Sequence, residues 1–288
     1  TVQLELGQFD AAAKTFDELA AKYPQSEEGK SALFALVRSA LEIKQYEQAR
    51  SAFAKMLTGG GQYTADQFVR IGQMMLDGGQ HAEAVKAFSK IETMTEERTM
   101  LERTLYGLGR AHYALKQYPE AIKALESLME RYPKSGLFYD AKFMLGEAYR
   151  ETQRLDDAFK ALSDVFRSAS DAMLINRASL ALGSIQIQQG DKTGALASYQ
   201  RVALLTDVSK PEFRPLVEES LVKSIELAME LGRYQDVQDS CDQYLNDFPA
   251  GANIEAVRKA KADARLKAAT APAPEPVPAQ PGTAPAKP

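Results

Sequence analysis

Little in this 288-residue chain suggests chemistry of its own. A single cysteine, Cys241, excludes an internal disulfide framework, and such scarcity suits a bacterial envelope protein and a cytosolic one alike. The two histidines, His81 and His112, have no second His or Cys at ligand spacing, so no metal site is expected. No run of 18 apolar residues exists, and no segment reads as a membrane span. Positive charge is not in excess: 35 Lys and Arg face 39 Asp and Glu, with a pI near 5.5, which argues against a general nucleic-acid binder. The Gly-rich stretches lack the Gly-Lys-Ser/Thr ending of a phosphate loop. Asp156-Asp157 and Glu218-Glu219 read as solvated helix faces, and nothing fixes two carboxylates across a cleft. No catalytic constellation and no cofactor are expected.

What is present is a repeat. The stretch Arg103 to Ser135 reads as two antiparallel amphipathic helices joined by a tight turn at Lys116-Gln117. Aligned on that turn stand Gly7, Lys44, Gly79, Lys116, Gln153, Gly190 and Gly232, mostly at steps of roughly 37 residues. Five positions further on come Ala12, Ala49, Ala84, Ala121, Ala158, Ala195 and Val237, where close helix crossing demands a small side chain. Four residues later Phe16, Phe53, Phe88, Leu125, Leu162, Tyr199 and Cys241 point into the core from the same face, so Cys241 reads as a buried structural thiol. In the first helices Ile71-Gly72, Leu108-Gly109, Leu145-Gly146 and Leu182-Gly183 recur. A mid-helix Gly costs roughly 1 kcal/mol relative to Ala, so a neighbouring helix is expected to pack on the bare backbone there. Pro24, Pro133 and Pro249 close helices, and in Tyr23-Pro24-Gln25-Ser26 and Tyr132-Pro133-Lys134-Ser135 the serine is placed to cap the next one.

Leu108-Gly109, Tyr118, Ala121, Leu125 and Pro133 occupy the positions of the tetratricopeptide-repeat (TPR) motif, and the chain resembles that superfamily from Leu6 to about Pro249. The resemblance implies an all-α fold, a right-handed superhelix (an α-solenoid) of antiparallel helix pairs. Residues 1–249 are expected to hold the second helix of a first repeat and six helix pairs. Residues 250–269, rich in Lys and Arg, are expected to form a capping helix, and 270–288, with 7 prolines and 5 alanines in 19 residues, an extended mobile tail serving as spacer or ligand. The chain opens at Thr1 inside what reads as a helix end, so any signal peptide or lipid anchor is expected upstream.

The Tyr-Pro-x-Ser links, with the helix YPKSGLFYDAKFMLGEAYRETQ, are similar to repeats of bacterial cell-envelope TPR proteins of the Tol–Pal-associated and outer-membrane-assembly type. That resemblance implies a periplasmic or outer-membrane-associated location and a non-catalytic role in assembling envelope complexes, with other proteins or extended peptides as partners. The chain departs from those relatives in showing neither a coiled-coil segment nor a lipoprotein cysteine. Two alternatives stand beside this reading: a cytoplasmic TPR adaptor, and the TPR arm of a larger enzyme.

In the superfamily the first helix of each pair lines a concave groove. Carrying the groove positions over gives Arg103, Tyr106, Arg110 and Tyr113, then Asp140, Phe143, Glu147 and Arg150, then Arg177, Leu180, Ser184 and Ile187. Aromatics and arginines interleaved with acids suit an extended peptide or a partner helix; the same residues also suit packing against the neighbouring repeat.

Overall fold

A computed structural model describes residues 6–270, and the expected tail beyond Thr270 lies outside them. The described residues form α-helices and one short 3₁₀ turn, with no strand among them. The helices are α1 (Phe9–Lys22), α2 (Glu27–Glu42), α3 (Tyr46–Thr58), α4 (Ala65–Asp77), α5 (His81–Ser89), α6 (Arg98–Ala114) and α7 (Tyr118–Arg131). They continue as α8 (Phe138–Glu151), α9 (Leu155–Ser168), α10 (Ala172–Gln188), α11 (Lys192–Leu205), α12 (Arg214–Glu230), α13 (Tyr234–Asp247) and α14 (Ile254–Thr270).

The turn alignment has a physical cause in the backbone. All seven aligned residues adopt the left-handed conformation, with φ between 59° and 83° (Lys44 and Lys116, 59°; Gly190, 83°). After α2, Lys44 N–H bonds the Leu41 carbonyl at 3.0 Å and Gln45 N–H bonds the Ala40 carbonyl at 2.8 Å. The same two bonds recur after α4, α6, α8, α10 and α12, so each first helix ends in a Schellman motif. The very next residue is already the N-cap of the second helix. One left-handed residue therefore makes each hairpin, and three of the seven are not glycine. Lys116→Gly is expected to raise stability by about 0.5 kcal/mol. It relieves a left-handed cost of about 1–2 kcal/mol and adds roughly 0.4–1 kcal/mol of unfolded-state entropy. Chemical denaturation checks it, and a loss of stability would contradict the assignment.

The small-residue register is where the helices meet. Ala12, Ala49, Ala84, Ala121, Ala158, Ala195 and Val237 are all fully buried. Of the large residues four positions on, Phe53, Phe88, Leu125, Leu162, Tyr199 and Cys241 are buried and Phe16 is half-buried. The bare backbones of the first helices receive these side chains. A Cβ at Gly72 would stand 2.8 Å from the Phe88 ring, one at Gly109 2.5 Å from Leu125, and one at Gly146 2.6 Å from Leu162. The neighbour that packs on each glycine is thus the second helix of its own pair.

The chain forms two compact units, one up to Ile185 and one from Gln186 on. In the first, α1 packs on α2, α2 on α3, α4 on α5, α5 on α6, α6 on α7, α7 on α8 and α8 on α9, and first helices also touch the next first helix, α2 on α4, α4 on α6 and α6 on α8. Its core runs as two apolar clusters centred on Phe53–Phe88 and on Leu125–Leu162. In the second, α12 packs on α11, α13 and α14, and α14 on α13. Tyr244 joins these helices: its hydroxyl donates to Glu218 at 2.6 Å and accepts the Asn253 N–H at 3.1 Å. Glu218 is therefore half-buried and engaged, not a solvated acid.

The two Tyr-Pro-x-Ser links differ. Ser26 caps α2 as expected, accepting the Gly29 N–H at 3.0 Å. Ser135 does not cap α8, whose N-cap is Leu137. Its hydroxyl donates to Glu102 on α6 at 2.8 Å and accepts the Leu137 N–H at 3.2 Å. Burial opposes ionisation of Glu102, but Arg98 and Ser135 outweigh it and hold that carboxyl below its usual range.

Candidate partner-binding cleft

Because successive first helices touch, residues spaced three or four apart on each come to share one wall. Within the first unit α6 contributes Tyr106, Arg110 and Tyr113, α8 contributes Asp140, Phe143, Met144 and Glu147, and α10 contributes Leu174 and Arg177. Together they line a cleft of about 470 Å³, within the range that holds small ligands or a few side chains.

Seven of the twelve residues carried over from the motif meet in this cleft; Arg103, Arg150, Leu180, Ser184 and Ile187 do not line it. Arg103 is exposed on α6. Arg150 is drawn aside by its own helix, pairing with Glu147 Oε2 at 3.0 Å and Glu151 Oε1 at 3.1 Å. Phe143 forms the floor: it is buried, with the Arg177 guanidinium 4.5 Å from its ring centre. Leu180 is buried, Ser184 bonds the Leu180 carbonyl at 3.2 Å, and Ile187 is exposed in the last turn of α10. Met144 and Leu174 complete the lining and were not in the transferred set. The spacing carries a signal for both, since Met144 lies one turn from Asp140 and Glu147 and Leu174 one turn from Arg177.

The charges are arranged around aromatic rings. Arg110 stands 5.8 Å from the Tyr106 ring centre and 3.7 Å from Asp77 Oδ1. Tyr113 meets Tyr118 edge-on with centroids 5.5 Å apart, and Tyr118 donates to Glu151 at 3.3 Å. Burial, then Glu147 and Glu151, push the Tyr113 hydroxyl up to about 12. Burial, then Asp140, raise Tyr106 as well. Both phenols are therefore neutral donors at any physiological pH.

The other candidates for chemistry fall into structural places. Cys241 is fully buried, its thiol pushed up to about 11 chiefly by burial, and it approaches the Val257 carbonyl at 3.5 Å. His112 is half-buried, and its Nδ1 meets Gln117 Oε1 at 2.7 Å across the α6–α7 turn. No group of three or more metal-ligating side chains occurs among the described residues, and no helix there is long and apolar enough to cross a membrane. In the second unit α12 and α14 enclose a separate groove of about 350 Å³, with Ile225, Met229 and Val257 in its lining.

Residues 1–64 and 106–172 match the family described as tetratricopeptide repeat. Tetratricopeptide repeat protein 1 of Schizosaccharomyces pombe is 30% identical over 96 residues, which are 33% of this chain and 9% of that protein, so the chain spans a small part of that relative. Among solved structures, the C-terminal part of a TPR repeat-containing protein from Cytophaga hutchinsonii superposes with a TM-score of 0.65 at 14% identity, covering 89% of this chain and 96% of that one. PilW, described as a widely conserved type IV pilus biogenesis factor, gives 0.52 at 13% identity over 80% of this chain and 98% of its own. Over residues 1–64 and 106–172 the chain carries tetratricopeptide repeats, and the solved structures share its fold of Schellman-closed helix pairs.

Proposed function

We propose that this chain is a non-catalytic scaffold that holds a peptide or a segment of a partner protein in the α6–α8–α10 cleft, in the assembly or maintenance of a bacterial cell-envelope complex. The observation that carries the reading is the convergence of Tyr106, Arg110, Tyr113, Asp140, Glu147 and Arg177, from three helices, on one cleft. Tyr and Arg in such a setting are the usual anchors of a partner. The envelope assignment, periplasmic or outer-membrane-associated, draws its support from the Tyr-Pro-x-Ser links; the fold shared with a pilus biogenesis factor is compatible with it.

The test is a crosslinking pull-down from cells that produce the protein, run beside the variant Tyr106→Ala, Tyr113→Ala, Arg177→Ala. Phe143 is left intact because it is part of the floor. Recovery of envelope proteins is expected to fall by about tenfold or more, as for loss of hot-spot residues. Partners retained in full by the variant would remove the cleft from consideration, and exclusively cytosolic partners would remove the envelope assignment.

A further inference from the structure

One carboxylate oxygen of the cleft is satisfied by nothing among the described residues. Glu147 Oε2 takes Arg150, but Glu147 Oε1 is buried and has no hydrogen-bond partner. An unmet buried acceptor is costly, more so when charged. Two turns earlier on the same face of α8, Asp140 has no cation within ion-pair distance among the described residues. The arginines nearby are engaged elsewhere. Arg150 serves Glu147 Oε2 and Glu151, Arg110 leans on Tyr106 and Asp77, and Arg177 lies over Phe143. Burial raises the carboxyls of both Asp140 and Glu147 above their usual range, Asp171 adding to the first and Glu151 to the second, against the opposing charges of Arg177 and Arg150.

The cleft therefore holds a buried carboxylate oxygen without a donor among the described residues, beside surface supplied by Tyr106, Tyr113, Met144 and Leu174. A long methylene stem ending in a cation matches that shape, with the stem on apolar and aromatic surface and the head at the carboxylates. An acidic side chain would leave Glu147 Oε1 unpaired and add charge beside Asp140, Glu147, Glu151 and Asp171. Resting on the reading of this cleft as a partner site, we propose that its occupant is a lysine or arginine side chain of a partner polypeptide, donating to Glu147 Oε1, with Asp140 adding negative potential two turns away.

The test uses the full chain with ¹³C-methyl methionine and follows the Met144 resonance, assigned through Met144→Leu. The probes are N-acetyl-lysine amide, N-acetyl-arginine amide, N-acetyl-norleucine amide and N-acetyl-glutamate amide. The cationic probes are expected to shift the resonance saturably, at least about tenfold more tightly than norleucine, as a charge-assisted bond implies. Glu147→Gln is expected to abolish that preference, and Asp140→Asn independently to weaken it. Binding of the lysine probe is expected to weaken as the pH falls, because the raised carboxyls of Asp140 and Glu147 take up protons earlier than ordinary ones. The other charged groups facing the site are Arg110, Arg150 and Arg177 and the carboxylates of Asp77, Asp171 and Glu151, and the Tyr106, Tyr113 and Tyr118 hydroxyls are all raised above their ordinary value. An equal response to the glutamate probe, no response to either cation, or a preference that survives both substitutions would overturn the proposal. A partner segment crosslinked in the cleft without a basic residue would also overturn it, while leaving the cleft as a partner site.

Discussion

Ala121→Trp is expected to destabilise the chain by about 3 kcal/mol, or roughly 6–12 °C of Tm at 2–4 °C per kcal/mol for a large domain. Ala121 is fully buried at the crossing of α6 and α7, four residues before Leu125, which itself rests on the bare backbone of Gly109. An indole at that crossing has no free volume and forces the two helices apart. In a repeat array each pair leans on its neighbours, so the packing of α5 and α8 on these helices suffers as well. Lys123→Trp, two residues away on the exposed side of α7, is the control and is expected within about 0.5 kcal/mol of the parent. Thermal and chemical denaturation of both variants read the difference. Equal melting temperatures would show that the alanine register is not the site of close crossing.

Gly29→Ala is the second large effect, expected at about 2–3 kcal/mol from the lost cap and the overpacking together. A Cβ on Gly29 would fall on the carbonyl oxygen of Tyr23 and 2.7 Å from its carbon, and both are backbone atoms. That carbonyl is held in place by the Ser26 N–H and the Ser26 hydroxyl, each at 3.1 Å, while Ser26 Oγ accepts from Gly29. Moving the carbonyl therefore dismantles the whole α1–α2 link. The glycine of the other link, Gly136, stands one residue after its serine and not three, and nothing lies within 4 Å of a Cβ there. Gly136→Ala is accordingly expected to be nearly neutral. Equal effects of the two substitutions would refute the difference between the links.

That pair of links marks how far the residues themselves lead. Tyr-Pro-x-Ser-type spelling predicts a helix end and a serine hydroxyl near a helix start, and both links provide these. Whether the hydroxyl caps depends on what stands opposite, and Glu102, 33 residues before Ser135, lies beyond any local pattern. The hairpin turns were legible even where Lys44, Lys116 and Gln153 replace glycine, because register carries the information that residue type does not. A capping box at Thr64, closed by Gln67 at 2.8 Å and 3.2 Å, was written plainly as Thr-x-x-Gln and passed unread.

The cleft divides in the same way. Spacing along each first helix places Tyr106, Arg110 and Tyr113 on one face, and likewise Asp140 and Glu147. Spacing does not foretell that Phe143 becomes floor beneath Arg177, or that Glu151 competes for Arg150, since both follow from side-chain contacts formed only after packing. Nor does it show which carboxylate oxygen is left without a donor, which depends on where Arg150 and Arg177 come to rest.

The most direct measurement places a benzophenone photocrosslinking residue at Met144, inside the cleft, and in a second protein at Lys160, exposed on α9. Both are irradiated in cells that produce the protein. Adducts from Met144 that disappear when Tyr106→Ala and Tyr113→Ala are added, with none from Lys160, are the predicted result. Adducts from Lys160 but not from Met144 would contradict the central claim and move the partner surface to the second helices.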